Sequence, residues 1–580
     1  MKKDLKLLKF VNNKKYNELL TLTNKRLIIC QSLGILFFVF LILHIFMLQV
    51  LDVKGYKERG IRQRTATLQE KRGDILDRNG LKMATNETVY EIYAHPRDYI
   101  AKRPIKTLAK ILLPYMTISE QELIKKLSNN KFSVITLRKD VNRETAQKVA
   151  ALELREISVR AKDKRVYPQG DMAAHLLGYY NQDSNYSMGI ENIAAEKLDY
   201  IKSKQNYEIS SMGDLIYNIS LKPEDILTGT KGENVTLTID SAVQHICEKE
   251  LKKTINEKKA ERGTIIVINP KNGEILGWAT FPHFNPNYYW KSSSEQMKNW
   301  ALTDVYPPGS TFKIITIASA LELGKINENS LIEDSGKIEI GSWKIKNNDF
   351  NANPNPGLIN LVYLFQHSSN VGSINVAFKM KPREFYSMIK KFGFGVKTAV
   401  DLPAESSGIL PLPAFWDKSR HASMGYGYGA SVTAIQMISA ISAIANKGVW
   451  VTPHVIKYSQ EDSLKKIQKR QVLSTTTADT VTKLLAQSVA NGNTSLNMKE
   501  YTVAAKTGTS RKPKENSKGY SSNVFTSAIG YLPASDPQIA IYVVIDSPKT
   551  GSDYGGTIAS PVFATVAEQT TRILNIKADK

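Results

Sequence analysis

The sequence contains only two cysteines, Cys30 and Cys247, among its 580 residues. Cys30 lies inside an apolar segment that is long enough to span a membrane, whereas Cys247 lies outside it, so the two cannot pair within one chain. No cluster of His or Cys residues with the spacing of a zinc site follows Cys247. The scarcity of cysteine therefore excludes a disulfide framework and a cysteine-based zinc centre.

Long hydrophobic runs are also scarce, and a single one is found near the N-terminus. Residues 27–48 contain no charged side chain, and a helix that crosses a bilayer needs about 20 apolar residues. The first 26 residues hold eight Lys or Arg and two acids, which places the N-terminus in the cytoplasm. No Ala-x-Ala-like cleavage site follows. We therefore expect an uncleaved anchor, with everything after about Gln49 outside the cytoplasmic membrane.

Internal repeats and low-complexity tails are absent, and a hydrophobic content of 42% is typical of a globular chain. A chain of 580 residues is too long for one core, so two or three domains are expected. Acidic residues are in deficit, and a net charge of +23 would suit nucleic acid. Because the charge is spread along an extracytoplasmic chain, nucleic acid is not expected. An anionic membrane face or wall polymer is the expected partner, and general solubility explains the charge equally well.

The part after the anchor divides into two regions of different pattern. Up to about residue 228 it predicts a mixed α+β domain, with a hairpin at Asn79-Gly80, a short helix that starts at the capping box Ser119–Glu122 and a second helix at 144–154. A polar, glycine-containing stretch at 223–232 is a plausible linker. Further strands are predicted at 235–239, 263–268, 274–279, 502–505, 525–531 and 539–545, with a closing helix at 559–573. Strands at both ends of this second region, with helices between them, predict an antiparallel sheet packed by helices.

The stretch 306–313, with the sequence Tyr-Pro-Pro-Gly-Ser-Thr-Phe-Lys, opens a helix. Its prolines and glycine cannot continue a helix backwards, and Ser310 is a preferred N-cap residue type. Residues 311–323 are apolar nearly all round, which predicts a buried helix that ends at Gly324. Lys313 lies one turn after Ser310. A desolvated lysine has a lowered pKa and can take the proton of a serine nucleophile, although a capping serine with a solvated lysine is the alternative.

Two further motifs follow in the same region. Ser368-Ser369-Asn370 comes directly after a helical stretch at 361–366, where a hydroxyl and an amide could relay a proton and hold a substrate amide. Lys506–Thr509 is expected at the end of the strand 502–505. There Gly508 would let a substrate backbone pair with the strand edge, and Lys506 and Thr507 can bind a carboxylate. A second Lys-Thr-Gly triplet begins at Lys549 but follows Ser547-Pro548, so a loop is predicted for it.

Each motif is weak alone, because Ser-x-x-Lys also occurs at Ser128 and Ser463, and Ser-x-Asn at Ser495 and Ser521. The order Ser-x-x-Lys, Ser-x-Asn, Lys-Thr-Gly, however, is close to the set of penicillin-binding proteins and class A β-lactamases. The chain resembles a class B penicillin-binding protein, a peptidoglycan D,D-transpeptidase. Further stretches that carry the resemblance are Arg72–Gly80, Tyr167-Pro168 with Gly170, Gly189–Glu191, Gly425–Gly427 and Tyr554–Gly556.

The resemblance covers nearly the whole chain and implies an α+β architecture. A cytoplasmic tail (1–26) and a transmembrane helix (27–48) would be followed by an elongated pedestal of the dimerisation type (49–228). A serine β-lactamase-like transpeptidase domain (229–580) would complete it. No glycosyltransferase domain precedes, which separates the chain from bifunctional class A proteins. Length, the short tail and the lack of extra C-terminal modules look most like the septal, cell-division subtype.

The resemblance also implies a mechanism without metal or organic cofactor. Ser310, activated by Lys313, would attack the penultimate D-alanine of a stem peptide. An amine from a neighbouring strand would then resolve the acyl-enzyme. Ser368 would pass the proton to the leaving amine, and Asn370 would orient Lys313 and substrate. β-Lactams would acylate the same serine.

The remaining implied roles concern substrate binding and partners. Lys506 and Thr507 would bind the terminal carboxylate beside Gly508, and the backbone N–H groups of Ser310 and Thr509 would form the oxyanion hole. The expected partners are peptidoglycan stem peptides, the membrane, a glycosyltransferase and other wall-synthesis or division proteins.

Three alternatives remain open from the sequence. An elongation-type class B transpeptidase shares every motif. A membrane-bound β-lactamase or β-lactam sensor is disfavoured, because class A hydrolases carry a Glu-x-x-Leu-Asn loop. The glutamates between Asn370 and Lys506 are Glu384, Glu405, Glu461 and Glu500. None of them lies in a Glu-x-x-Leu-Asn sequence. A non-enzymatic wall-assembly scaffold is disfavoured because all three motifs are intact.

Overall fold

The computed structural model describes residues 4–49, 65–66, 72–99, 103–199, 207–208, 232–341, 343–492, 494–514, 519–551 and 554–580. The chain forms two compact units, Met1–Gln69 with Ile201–Gly229 and Glu70–Tyr200 with Thr230–Lys580. Most of the predicted linker at 223–232 lies outside the described residues.

The first unit contains one long helix, Asp4–Gln49. It includes the predicted anchor but begins well before it, so much of the basic tail is helical. Its stretch Asn17–Met47 is the one described helix that is long and apolar enough to cross a membrane, and its large apolar side chains are exposed. Strands β1 (Thr65–Ala66) and β8 (Tyr207–Glu208) of the same unit pair in antiparallel fashion.

The pedestal part of the second unit is built on a mixed sheet. Its strand order is β4-β3-β2-β9, with β5 also paired to β3. The hairpin predicted at Asn79-Gly80 joins β2 to β3, and Gly80 has a φ of 89°. The strands are β2 (Ile75–Leu76), β3 (Lys82–Ala94), β4 (Ile135–Val141), β5 (Ile157–Val166), β6 (Tyr180–Asn181), β7 (Tyr186–Ser187) and β9 (Val235–Thr236). The α-helices are Pro96–Tyr99, Ile105–Leu112, Glu120–Leu127, Arg143–Ala150, Ala174–Leu177, Gly189–Ile193 and Ala195–Leu198, with a 3-10 turn at Leu113–Tyr115.

A buried ion-pair cluster joins three of the family-like stretches of the pedestal. The Glu191 carboxylate is fully buried and accepts from Arg72 Nε at 2.7 Å and from Arg165 Nε at 2.6 Å. Tyr167 Oη donates to the same carboxylate at 3.2 Å. The backbone of Tyr167 in turn exchanges two hydrogen bonds of 2.9 Å with the Asn287 side chain of the second domain. The cluster therefore locks the pedestal core and the place where it meets the next domain.

The second domain is organised around the predicted antiparallel sheet, in the order β11-β10-β20-β19-β18. Its strands are β10 (Arg262–Ile268), β11 (Ile275–Phe281), β18 (Ala504–Pro513), β19 (Tyr520–Leu532) and β20 (Ile539–Asp546). Short strands lie outside it at β12 (Ile332–Asp334), β13 (Lys337–Ile340), β14 (Trp343–Lys346), β15 (Gly357–Ile359), β16 (Val449–Val451) and β17 (Lys469–Gln471).

Helices cover both faces of this sheet, because alternate strand residues are apolar and buried on opposite sides. Ile265 and Val543 pack with the helices Ser241–Lys258 and Gly555–Ile573, whereas Ile266 and Val544 pack with Lys313–Glu322 and Ala434–Ala445. The other α-helices are Ser294–Met297, Trp300–Thr303, Leu361–Gln366, Asn370–Phe378, Pro382–Lys391, Lys418–Gly425, Gln460–Lys466 and Thr475–Ala490. Further 3-10 turns lie at Pro286–Lys291, Gly309–Phe312 and Pro413–Phe415.

Several predicted bounds are wrong, although the α+β class and the element types are confirmed. The expected strand 502–505 is instead the ten-residue strand Ala504–Pro513, because the polar Lys-Thr-Gly motif continues the pairing with β19. The expected strand 235–239 shortens to Val235–Thr236 and pairs with β2. The helix expected to end at 154 ends at Ala150. The closing helix begins at Gly555, ahead of Pro561, which it contains.

The buried Glu191 cluster generates a stability prediction. Glu191→Gln leaves the buried Arg165 guanidinium without a carboxylate and leaves Arg72 paired only with the exposed Asp199, and breaking a buried ion pair in this way costs about 3–5 kcal/mol. We expect the urea midpoint of the pedestal, measured by pulse proteolysis of the full-length protein in detergent, to fall accordingly. Glu144→Gln is the control, because the exposed Glu144–Lys148 pair should contribute nothing measurable. A Glu191→Gln midpoint equal to that of the wild type would contradict this role.

Candidate active site

Ser310 lies inside a 3-10 turn, Gly309–Phe312, that continues into the helix Lys313–Glu322. The expectation that Ser310 is the N-cap is wrong, since Pro308 holds that position and no side chain caps the turn. The turn starts early because Gly309 adopts a φ of 58° and donates its N–H to Gly427 O at 3.0 Å. The Ser310 side chain is consequently free of a capping bond and is 8% exposed.

The buried helix predicted after Ser310 is confirmed. Every side chain from Lys313 to Ala320 is buried. Gly324 follows the last turn with a φ of 63° and donates its N–H to Leu321 O at 3.0 Å, so the predicted stop is also confirmed. A lysine thus stands in the first turn of a helix that has no solvent-facing side there.

The ammonium-bearing end of Lys313 is held by the second motif. Its Nζ lies 3.2 Å from Ser368 Oγ and 2.7 Å from Asn370 Oδ1, and it also donates to Ser368 O. The Asn370 amide is oriented because its Nδ2 donates to Lys346 O at 2.8 Å. Of the three contacts, the Ser368 hydroxyl alone can also donate. A neutral amine is therefore accommodated, because its two N–H groups can donate to Ser368 O and Asn370 Oδ1 while its lone pair accepts from the Ser368 hydroxyl.

Burial lowers the pKa of Lys313 well below its ordinary value, and the positive charge of Lys506 lowers it further. Asp334 and Asp349 raise the pKa of Lys313, but they act more weakly than burial. Burial also lowers the pKa of Lys506, to about 8. Lys506 thus disfavours a positive charge on Lys313, which is the arrangement that a lysine base needs.

Ser368 itself stands in a left-handed backbone conformation between the helices Leu361–Gln366 and Asn370–Phe378, with a φ of 54°. The first of these helices has the bounds that the sequence predicts. The second is capped by Ser369, whose Oγ accepts from Gly372 N at 2.8 Å. The middle residue of the motif is therefore structural, and the outer two residues face Lys313.

The third motif lies on the edge strand of the sheet, as predicted, but in the interior of β18. Lys506 is 4% exposed, and its Nζ donates to Thr507 O at 3.1 Å. Thr509 Oγ1 accepts from Gly555 N at 3.0 Å. Ser510 Oγ donates to Pro307 O at 2.7 Å, which ties the strand to the turn that carries Ser310.

The other occurrences of these motifs lack this setting. Ser128 is exposed, and Ser463 lies in the helix Gln460–Lys466, which buries none of its residues. Lys549 is in a loop, is 61% exposed, and reaches Glu261 at 3.7 Å. The loop predicted for the second Lys-Thr-Gly triplet is confirmed.

Sequence reasoning missed three side chains that support the site. Asp334 and Asn347 are buried beneath the Ser368–Asn370 segment, and no motif marks them. Tyr428 Oη accepts from Arg511 N at 3.0 Å, and the Tyr428 ring meets Tyr520 edge-on. The Gly-Tyr-Gly-Tyr stretch that begins at Gly425 was the available signal for Tyr428.

Comparisons with known proteins identify the family to which the chain belongs. The family model described as the penicillin binding protein transpeptidase domain matches residues 263–568, which is more than half of the chain. The chain belongs to the penicillin-binding protein transpeptidase family. The penicillin-binding protein dimerisation domain matches residues 67–267, so the predicted class B organisation, a dimerisation domain followed by a transpeptidase domain, is confirmed.

Relatives span nearly the whole chain. Stage V sporulation protein D of Bacillus subtilis is 32% identical, over 96% of this chain and 87% of the relative. Peptidoglycan D,D-transpeptidase FtsI of Escherichia coli is 28% identical, over 89% and 86%. Penicillin Binding Protein 2X from Streptococcus thermophilus has the same fold, with a TM-score of 0.70, 22% identity and coverage of 88% of this chain and 80% of that chain.

Gly508 lies so close to the serine turn that a larger residue there should slow acylation of this penicillin-binding protein. A Cβ at Gly508 would lie 2.9 Å from Thr311 Cγ2 and 2.5 Å from Ser527 Oγ. Gly508→Ala should therefore push β18 away from Ser310. A displacement of about 1 Å costs up to 100-fold in rate, so we expect β-lactam acylation to slow about 10- to 100-fold.

Gly556→Ala is the matched control, because a Cβ there meets nothing within 4 Å. The measurement is the second-order acylation rate of the full-length protein, with thermal melts to verify folding. An unchanged rate for a folded Gly508→Ala would show that the strand and turn do not need this contact.

Proposed function

We propose that the chain is a serine-type peptidoglycan D,D-transpeptidase that cross-links stem peptides in the septal wall during cell division. The observation that carries the proposal is the buried Lys313 amine, held between Ser368 and Asn370 one turn from Ser310. Support also comes from the relatives named peptidoglycan D,D-transpeptidase FtsI.

The reaction begins with attack of Ser310 Oγ on the carbonyl of the penultimate D-alanine. The hydroxyl proton passes to Lys313 Nζ, and the carbonyl electrons move to the oxygen, where the backbone N–H groups of Ser310 and Thr509 stabilise them. When the C–N bond breaks, Ser368 passes its proton to the departing D-alanine amine and takes up the proton held by Lys313 Nζ. A second stem-peptide amine then attacks the ester, its proton passes through Ser368 and Lys313 to Ser310 Oγ as the ester C–O bond breaks, and Ser310 is released with a new cross-link formed.

Substrate is held at the sheet edge in this proposal. The peptide backbone pairs with β18 beside Gly508, and its terminal carboxylate meets the Lys506 ammonium and the Thr507 hydroxyl. A carboxylate on a β-lactam occupies the same place. The β-lactam carbonyl is then presented to Ser310 as the stem peptide would be.

The proposal also covers the domain boundaries, the membrane anchor and the partners of the protein. The pedestal comprises 49–228 and the transpeptidase domain 229–580. The helix that contains 27–48 is a single-pass anchor in the cytoplasmic membrane, with the basic N-terminus in the cytoplasm. The proposed partners are a glycosyltransferase, which would supply the glycan strands to be cross-linked, and other wall-synthesis or division proteins.

A second candidate is a transpeptidase specific to sporulation, because the relative at 32% identity is named Stage V sporulation protein D. Imaging a fluorescent fusion in growing cells separates the candidates. Enrichment at midcell in dividing cells supports the septal role. Signal confined to sporulating cells supports the second candidate, and signal along the side wall supports the elongation type.

The proposed nucleophile gives the direct test of the activity. Ser310→Ala removes the hydroxyl from a buried turn and should abolish covalent labelling by fluorescent penicillin, while the thermal melt stays close to that of the wild type. Ser463→Ala removes the serine of the Ser-x-x-Lys in the surface helix Gln460–Lys466 and should label normally. Labelling that persists in Ser310→Ala would eliminate this nucleophile.

The two Lys-Thr-Gly triplets should differ in their effect on acylation. Lys506→Ala deletes a charge-assisted contact to the carboxylate, worth about 1.5–3 kcal/mol or roughly ten- to a hundredfold in rate. Lys549→Ala should leave the acylation rate unchanged. An equal loss in both variants would contradict the assignment of the third motif.

Lys506 should also determine the pH at which the acylation rate falls on the alkaline side of its pH profile, the alkaline limb. The carboxylate needs the protonated form, and burial lowers the pKa of Lys506 to about 8, so binding weakens as the pH rises through that value. Lys506→Arg keeps the charge at all accessible pH values and should remove the limb. Persistence of the limb in Lys506→Arg would assign it to another group.

A further inference from the structure

A fully buried carboxylate lies behind the Ser368–Asn370 segment. Asp334 ends strand β12 and is 0% exposed. Its oxygens accept from Ser369 Oγ at 2.5 Å, from Gly336 N at 2.8 Å and from Asn347 Nδ2 at 2.9 Å. The carboxylate thus receives three different donors and has no solvent contact.

Asn347 transmits the orientation of this carboxylate to the second motif. Because its Nδ2 faces Asp334, its Oδ1 faces the start of the helix Asn370–Phe378. There it accepts from Asn370 N at 2.9 Å and from Val371 N at 3.1 Å. Ser369 Oγ, which donates to Asp334, accepts from Gly372 N at 2.8 Å. The two side-chain oxygens that accept hydrogen bonds from the N–H groups of the first turn, Asn347 Oδ1 and Ser369 Oγ, are therefore both held in place by Asp334.

The same segment fixes the side chain that touches the lysine. Lys346, next to Asn347, offers its carbonyl to Asn370 Nδ2 at 2.8 Å. With its nitrogen held there, Asn370 presents Oδ1 to Lys313 Nζ at 2.7 Å. A path of direct hydrogen bonds runs from Asp334 through Asn347 and Asn370 to the amine.

We propose that Asp334, acting through Asn347 and Ser369, is a positioning residue that sets the Ser368–Asn370 segment against Lys313 for the acylation step. The proposal rests on the proposed function and adds a residue to it that none of the three motifs contains. Asp334 touches neither Ser310 nor Lys313 by a hydrogen bond in the described part of the chain, so it acts through its two partners.

A carboxylate is needed at this position because every neighbour is a donor. Asp334→Asn has nearly the same shape but replaces one acceptor oxygen with an amide that donates. Asn347 Nδ2 lies 2.9 Å from both carboxylate oxygens, so the new amide faces this donor in either orientation. Either Asn347 turns over, presenting donors to the N–H groups of Asn370 and Val371, or the two side chains move apart.

A swap of the two side chains restores the pattern of donors and acceptors. In Asp334→Asn/Asn347→Asp the new carboxylate accepts from Asn370 N and Val371 N. The amide at 334 accepts from Gly336 N and donates towards 347, and the Ser369 hydroxyl, 3.4 Å from Asn347 Oδ1 in the wild type, can donate to the new carboxylate. A residue that only filled space would not require this complementarity.

The electrostatic effect of Asp334 is separable from its positioning effect. Lys506 lowers the pKa of Lys313, whereas Asp334 and Asp349 raise it. The lysine must be neutral to act as base, so removing either anion should move the acid limb of the acylation rate to lower pH. Asp349 is the matched control, because its carboxylate meets His367 Nδ1 at 3.1 Å and makes no hydrogen bond to Asn347 or Ser369.

The experiment measures acylation of the full-length protein by a fluorescent penicillin across pH, together with thermal melts. On the rate plateau we expect Asp334→Asn to be slower by about 10- to 100-fold, as for a misplaced reactive group. Asp349→Asn should keep the wild-type plateau. The swap should regain at least about tenfold over the single variant, a coupling expected of side chains in direct contact.

The outcomes distinguish this proposal from the function on which it rests. A wild-type protein that is never labelled overturns the transpeptidase function itself. With a labelled wild type, a folded Asp334→Asn whose plateau equals that of Asp349→Asn overturns the positioning role. If Asp334→Asn fails to fold, the swap decides: a folded swap with a rate close to the wild type supports the role, and a folded swap that acylates 10-fold or more below the wild type overturns it.

Discussion

The site depends on one constraint, the burial of the Lys313 amine. An ammonium group taken out of water without a full set of partners is costly, and the cost is relieved when the group loses its proton. The helix buries Lys313 on every side, and Lys506 adds a second positive charge close by. The contacts from Ser368 and Asn370 then hold the amine without supplying a carboxylate that would keep it charged. The local structure thus favours the neutral base that an unactivated serine requires.

The sheet edge supplies the second half of the arrangement. Among the strands that the structure describes, β18 pairs with β19 alone, so its other edge can receive an extended peptide. Gly508 and Gly555 allow the strand, the serine turn and the closing helix to approach within distances that a Cβ would not permit. The same close packing brings the strand against the serine turn, where Ser510 Oγ donates to Pro307 O, although these two residues are 203 positions apart in the sequence.

Local patterns were enough to predict the elements but not their junctions. The helix Leu361–Gln366, the Asn79-Gly80 hairpin and the buried helix after Ser310 follow from periodicity and turn residues alone. The N-cap assignment of Ser310 failed because Gly309 takes up a positive φ and starts the turn earlier. The strand predicted at 502–505 was too short, because a Lys-Thr-Gly sequence has little intrinsic preference for a strand and becomes one only by pairing with β19.

The residues that support the site could not be predicted from the sequence, for a different reason. Asp334 and Asn347 meet Ser369 only after three separate segments fold together, and an isolated Asp or Asn in a loop is usually a turn residue. The Arg72–Glu191–Arg165 cluster was likewise hidden, although Arg72 and Glu191 belong to stretches that carry the family resemblance. Side chains that act through tertiary hydrogen bonds leave no periodic signal.

The central claim is that Lys313 titrates far below an ordinary lysine and is the base for Ser310. The most direct measurement is the pH titration of the Lys313 side chain by NMR of protein labelled with ¹³C at lysine Cε, with the resonance assigned by its loss in Lys313→Arg. We expect this resonance to change at a pH well below the ordinary lysine pKa of about 10.4. A Lys313 resonance that stays in the charged form up to about pH 10 would contradict the account.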